Sequence, residues 1–261
     1  MRVVSLAVYV PVPYAARRLA MLGAEVTGVE PKGGDPLATW CPEYYAELHK
    51  GTRVERLDIK SPDGRAMFNS LLADADLLLT ASRPSSLRRL GLGWEQLHAE
   101  YPRLSHVALV GWVSPDDERP SHDLMLQAQA GLTSPPALPR TTIADLAAGE
   151  QIVSAGLALL LSRTPGCATV SLEAAAKDFA EPFRYGFTAP GALLGGGMAG
   201  YRFYKASDGW VAVAALEPHF YSALLEALGN DLETAFANES AVHWEQWAAQ
   251  HGIPLVAVRQ R

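Results

Sequence analysis

Residues 2 to 10, RVVSLAVYV, form an apolar and β-branched run that predicts a strand, and helical spacing takes over from Pro13 to Leu22 before Gly23 closes the segment. A proline is tolerated in a first helical turn because the N–H it lacks would have no partner there. Residues 24 to 30, AEVTGVE, return to strand character. This strand, helix, strand order is the βαβ unit that builds a parallel sheet. The order recurs. Ser61-Pro-Asp-Gly opens a helix through Leu72, the stretch from Ala75 to Thr80 is apolar enough for a strand covered on both faces, and a third strand is predicted from Leu104 to Trp112.

From residue 113 to 142 the pattern breaks. Pro115, Pro120, Pro135, Pro136 and Pro139 fragment the chain around one helical segment, His122 to Gly131. Such loop-rich ground is where sites concentrate. Asp145 then stands before LAAGEQIVSAGLALLLSR, long enough for a buried helix, and a further helix is predicted from Ser171 to Tyr185. Residues 189 to 200, APGALLGGGMAG, predict a flexible glycine-rich connection into a separate unit. Beyond it, Tyr201–Tyr204 and Trp210–Ala215 flank Ser-Asp-Gly as an antiparallel pair, followed by helices near His219–Leu228 and His243–His251. The expected organisation is therefore a large α/β domain over 1–188, a linker over 189–200 and a small α+β domain over 201–261.

Composition narrows the function classes. The chain has 261 residues, 49% of them hydrophobic, enough for a substantial core. With 22 Lys+Arg against 28 Asp+Glu the net charge is -6, which argues against nucleic acid as a partner, since counterion release needs a broad basic face. Cys41 and Cys167 are the only cysteines and make no CxxC pair, so neither a disulfide framework nor a thiolate metal site is expected, and a cytoplasmic location fits best. The longest apolar stretches, Val3–Ala16 and Ile152–Leu161, fall short of the roughly 20 residues that cross a bilayer. No membrane partner or secretory leader is expected.

Gly195, Gly197 and Gly200 spell G-x-G-x-x-G, but a strand is predicted after them where the dinucleotide fingerprint needs a helix, so NAD binding is rejected. A flexible linker and a mobile backbone flap over a ligand remain equally open for these glycines. Arg83, Arg88 and Arg89 fall within seven residues free of acids, just after a predicted buried strand, and suit phosphate oxygens as well as they suit a solvated helix face. Lys50, Arg53, Arg56 and Lys60 form a second, weaker basic segment. The seven histidines supply no HExxH or comparable cluster, so no catalytic metal is expected. Taken singly, His122 is a structural histidine more often than a catalyst, and Asp123, Asp145 and Glu217 have simple readings as helix caps.

The order of these residues says more than each alone. Pro13-Tyr-Ala with Leu22-Gly-Ala-Glu-Val, Val29-Glu-Pro, Gly33-Gly-Asp-Pro, Leu57-Asp-Ile-Lys-Ser-Pro-Asp-Gly, Arg83-Pro with Leu90-Gly-Leu-Gly, His122-Asp-Leu, Ala144-Asp, Asp208-Gly-Trp and Leu216-Glu-Pro occur in one register. In this the chain resembles the class III CoA-transferase family, which includes carnitine CoA-transferase, formyl-CoA transferase and α-methylacyl-CoA racemase.

The resemblance implies a Rossmann-like large domain, a smaller domain and a homodimer of interlocked rings, with coenzyme A handled as a substrate moiety and no tightly bound cofactor. It assigns Arg89, together with Arg83 and Lys32, to CoA binding. In the transferases the aspartate matching Asp145 attacks the acyl thioester to give a mixed anhydride, and the segment matching Gly195, Gly196 and Gly197 covers that anhydride. Acyl-CoA and a carboxylic acid are then the small-molecule partners. In the racemases the residues matching His122 and Asp145 exchange the α-proton, with Glu217 supporting the histidine. A non-catalytic CoA-binding homologue is the third alternative. The chain departs from the family in carrying Pro11-Val12-Pro13 for Ala-Gly-Pro and Ala81-Ser82 for Asn-Phe, in a short His122-to-Asp145 segment, and in ending soon after Ile253-Pro-Leu-Val.

Overall fold

In a computed structural model that describes residues 1–162 and 164–259, the chain divides into two units, Met1–Ala180 and Glu181–Arg261. The first opens with β1 (Arg2–Leu6), α1 (Pro11–Met21) and β2 (Glu25–Glu30), the expected βαβ start. Next come α2 (Leu37–Trp40), α3 (Pro42–Leu48), β3 (Thr52–Arg56), α4 (Pro62–Ala73), β4 (Leu77–Thr80), α5 (Pro84–Arg89), α6 (Trp94–Glu100) and β5 (Ser105–Val110). The unit closes with α7 (Asp123–Gln129), α8 (Ile143–Leu161), β6 (Cys167–Ser171) and α9 (Leu172–Phe179).

Six parallel strands line up as β3-β2-β1-β4-β5-β6. Both faces are covered, which explains why β4 is apolar without alternation: Leu77 and Leu79 enter the core beneath α1, α8 and α9, while Leu78 enters the one formed with Phe68, Leu72, Leu87 and Leu97. The inner stripe of α8, Ala144, Ala147, Ala148, Ile152 and Val153, is buried in the first of these cores. By length and composition alone α8 could also span a membrane.

Two local features differ from expectation for clear reasons. The first strand stops at Leu6 instead of residue 10, because Tyr9 turns the chain with a φ of +71° and Pro11 begins α1. The helix predicted over Ser171–Tyr185 is broken into α9 and α10 (Glu181–Arg184), with Pro182 beyond the break, where its missing N–H cannot continue the ladder.

In the second unit, β7 (Tyr201–Lys205), β8 (Trp210–Ala214) and β9 (Leu255–Ala257) form an antiparallel sheet with α11 (Pro218–Leu228), α12 (Leu232–Ala237) and α13 (Ala241–His251). Its core gathers Tyr204, Val211, Leu224, Phe236 and Trp244. The glycine-rich stretch 189–200 belongs to this unit. It folds into a hydrogen-bonded turn in which Gly195 and Gly197 donate their N–H groups to the Ala192 carbonyl, both at 2.9 Å. A Cβ on Gly195 would meet the Ala189 oxygen at 1.7 Å and Gly196 has a φ of +88°, so the path requires glycine at both.

Candidate active site

The strand order reverses between β1 and β4, and in an open parallel sheet a ligand crevice forms outside the carboxyl ends of strands at such a point. A cavity of about 330 Å³ lies there. Leu6 ends β1 and Ala7 to Tyr9 follow it, Ala81 to Arg83 follow β4, and Leu109 to Gly111 close β5; Pro11, Asp117, Arg119 to His122, Asp145 and Leu172 add the rest of the wall. A second cavity, of about 590 Å³, is lined by Arg88, Trp94, Gln96 and Cys167 and shares Ser82, Val110 and Asp117 with the first. His106 also faces it, with Nε2 2.9 Å from the Thr80 hydroxyl; burial lowers its pKa to about 4.

Asp145 sits in the first turn of α8, two residues inside the helix rather than before it. Among the described residues no donor is directed at its carboxyl oxygens. Burial, and secondarily the charge of Asp123, push its pKa up to about 7. A carboxyl group with that value is balanced between proton donor and nucleophile near neutral pH.

Asp123, which alone looked like a cap for its own helix, instead serves α8. Its Oδ1 accepts the N–H groups of Ala144 at 2.8 Å and Asp145 at 3.2 Å, and its Oδ2 accepts Gln127 Nε2 at 2.6 Å. Gln127 also donates to the Thr141 carbonyl at 2.8 Å, tying the proline-rich loop to the helix start. His122 occupies the N-cap position of α7 and presents an exposed ring to the Asp145 cavity.

The basic residues separate. Arg83 lines the Asp145 cavity and has no carboxylate partner among the described residues. Arg88 lines the second cavity and approaches Glu118 at 3.6 Å; Glu118 also accepts the backbone and side chain of Ser85, each at 2.7 Å. Arg89 is exposed, donates to Ser86 Oγ at 3.1 Å and lines neither cavity, as is true of exposed Lys32. Of the second basic segment, Arg53 and Arg56 lie in edge strand β3 and pair with Glu55 and Glu30.

Glu217 is the N-cap residue of α11, so it and Gly195–Gly197 belong to the second unit while His122 and Asp145 belong to the first. Spacing along the chain did not reveal two further features of the first unit. Arg119 reaches the cavity wall while lying over the Trp112 ring, 4.5 Å from its centroid. Glu30, Asp35 and His49 converge with their polar atoms within 4.8 Å of one another, although 19 residues separate the first from the last. Those carboxylates are already engaged: Glu30 accepts the Tyr45 hydroxyl at 2.7 Å, and Asp35 accepts the backbone of Tyr9 and Leu37.

A six-stranded switch-point sheet with a carboxyl group and a histidine in its crevice agrees with comparison to known proteins: the chain belongs to CoA-transferase family III, matched over residues 1–251. It is 29% identical to the alpha-methylacyl-CoA racemase of Mus musculus, covering 94% of this chain and 68% of that protein. It is 28% identical to the succinyl-CoA:glutarate CoA-transferase of Homo sapiens, covering 78% and 52%. A shorter match, 34% identical, covers 42% of this chain and 30% of the Succinyl-CoA--D-citramalate CoA-transferase of Chloroflexus aurantiacus. The chain thus spans under a third to about two thirds of these relatives. The crystal structure of the hypothetical protein Rv3272 from Mycobacterium tuberculosis shares the fold, with a TM-score of 0.86 and 23% identity over all of this chain and 84% of that one.

Proposed function

We propose that this chain transfers coenzyme A between an acyl-CoA and a carboxylic acid, with Asp145 as the nucleophile. The observation that carries the reading is the Asp145 carboxyl, half-buried and without a donor among the described residues, in the crevice at the strand ends. In the first step a carboxylate oxygen bonds to the thioester carbonyl carbon, the C–S bond breaks, and CoA departs as thiolate, leaving an acyl-aspartyl anhydride. Attack of the thiolate on the aspartyl carbonyl frees the first acid as carboxylate. The acceptor acid then runs the same two steps in reverse, so acyl group and CoA balance without an oxidant or a metal. Arg83 is placed to meet a phosphate or carboxylate oxygen entering the first cavity, and the adjoining second cavity gives a long ligand room to extend.

Removal and return of the α-proton by His122 and Asp145 is the second reading, favoured because both residues line one cavity and because the racemase matches cover 94% and 87% of the chain. Labelled-CoA exchange into an acyl-CoA supports transfer. Exchange of the α-proton with deuterated water in the absence of CoA transfer supports racemisation and overturns the first reading. CoA binding with neither exchange, over a broad panel of acyl-CoAs and acids, leaves a non-catalytic CoA-binding homologue.

From the family pattern we further propose that Glu217 supports the histidine, that Gly195–Gly197 shield the anhydride, that Arg89 and Lys32 contact CoA, and that the protein is a cytoplasmic homodimer. Light scattering of the purified protein measures the oligomeric state directly.

A further inference from the structure

Tyr9 is the only residue other than glycine with a positive φ among the described residues, +71°. A tyrosine in that region is disfavoured by contact of Cβ with the backbone, and such strain persists only where the surroundings over-determine it. Asp35 does so here. Its Oδ2 accepts the Tyr9 N–H at 2.8 Å, its Oδ1 accepts the Leu37 N–H at 2.9 Å, and its own N–H donates to Glu30 at 3.2 Å. Both carboxylates are buried, at 3% and 1% exposure, so the turn is anchored from inside the protein.

What the anchored turn displays is an aromatic face. The Tyr9 ring stacks on Trp40, with centroids 5.8 Å apart and planes 26° apart, and meets the His122 ring edge-on at 6.5 Å and 90°. Tyr9 and His122 line the cavity that holds Asp145, where Leu6, Ala7, Val8 and Pro11 add only apolar surface. The two outer rings stay open to solvent, Tyr9 at 39% and Trp40 at 69%. The Tyr9 backbone is thus fixed in the left-handed region by buried carboxylates, and within the first unit its ring keeps an uncovered face at the cavity that holds Asp145. Aromatic rings prefer offset or edge contact with other rings at 4.5 to 7 Å.

We propose that Tyr9, backed by Trp40, is a specificity-determining residue that selects acyl groups carrying an aromatic ring. The inference rests on reading Asp145 and His122 as the groups that meet the acyl thioester, since only then does the neighbouring wall belong to the acyl pocket.

Phenylacetyl-CoA and butyryl-CoA serve as probes. Two variants separate ring from backbone: Tyr9→Phe keeps the ring, and Tyr9→Asn removes it while substituting a residue that tolerates the left-handed region. The wild-type chain is expected to favour phenylacetyl-CoA in kcat/KM, Tyr9→Phe to keep that ratio, and Tyr9→Asn to lower it at least tenfold, chiefly through a raised KM for the aryl substrate. Calorimetric binding of both probes to Asp145→Ala, alone and combined with Tyr9→Asn, measures the same preference without turnover. An unchanged ratio in Tyr9→Asn by both measurements, or no binding of either probe, overturns the role of Tyr9. Full turnover by Asp145→Ala overturns the catalytic reading instead, and the binding ratio then decides on Tyr9 separately.

Discussion

Asp123 holds Asp145 by its backbone and opposes it by its charge. The oxygen that caps α8 accepts the Asp145 N–H at 3.2 Å, and the same carboxylate raises the Asp145 pKa beyond the effect of burial. A carboxylate charge beside Asp145 disfavours a second negative charge there, so it adds to the effect of burial on Asp145. Burial and that neighbouring charge together keep Asp145 partly protonated near pH 7.

Replacing Asp123 by Asn keeps an oxygen for the Ala144 and Asp145 N–H groups and removes the charge. The acid limb of the pH profile of kcat/KM is expected to move below 7, while staying above the ordinary aspartate range because burial is the larger cause. The substituted amide turns an N–H₂ toward Gln127 Nε2, which costs stability without moving the limb. Asp123→Ala removes the cap as well, with a loss of about 1 to 2 kcal/mol. A limb unmoved in Asp123→Asn would show that the charge does not reach Asp145.

The raised pKa also makes Asp145 a cost to the fold. Its value is about 7 in the folded chain against 3.8 as a reference, so between those values the folded state binds more protons than the unfolded one. Stability associated with this proton is present below pH 4 and is lost as pH rises through 7. Asp145→Asn, which has no proton to lose, is expected to gain stability relative to the wild-type chain between pH 5 and pH 8, read as a rising difference in urea midpoints. Turnover should move the opposite way, falling on the order of a thousandfold or more in the variant, since a side chain that reacts directly is removed. Equal midpoint differences at both pH values would contradict the buried-carboxyl account.

Arg83 and Arg89 can be told apart by ligand. Because Arg83 lines the Asp145 cavity and Arg89 does not, Arg83→Ala is expected to weaken CoA binding by about 10- to 100-fold, the loss of one charged hydrogen bond. Arg89→Ala should have the smaller effect. Calorimetric titration with CoA ranks the two, and the reverse order would place the phosphates outside the cavity, along the exposed end of α5.

Much of the large unit was legible because its central strands are covered on both sides: LLLT in β4 admits no amphipathic reading. Edge strands were not. β3, TRVER, shows its charges to solvent and read as a basic segment, and β6, CATVS, is too short and mixed to stand out. At the site, Asp145 and His122 were found by residue order, whereas the task of Asp123 depends on α7 folding back against the start of α8, 21 positions later. The three arginines read as one cluster because they are close in sequence, but Arg83 precedes α5 as its N-cap residue, while Arg88 and Arg89 end the helix at successive positions that turn apart by about 100°. Tyr9 carries its information in a backbone angle that no residue pattern records.

Gly149 sets how near Asp145 comes to the opposite wall of its cavity. It lies one helical turn beyond Asp145, against the start of α1, where an added Cβ would stand 2.5 Å from Tyr14 Cδ1 and 3.0 Å from the Pro11 carbonyl oxygen. Tyr14 cannot easily yield, since its hydroxyl donates to Glu150 at 2.7 Å, and Pro11 itself lines the cavity. Gly149→Ala gains up to about 1 kcal/mol of helix propensity but forces the helices apart, and overpacking of this kind costs about 1 to 3 kcal/mol. A lowered urea midpoint and a lowered kcat are expected together, because moving α8 moves Asp145 away from Pro11. Adding Tyr14→Ala should recover part of the midpoint, making the double variant less damaged than the two single losses combined. If Gly149→Ala were instead more stable than the wild-type chain, propensity alone would be acting, and the close approach of the two helices would not be what fixes the reacting carboxyl.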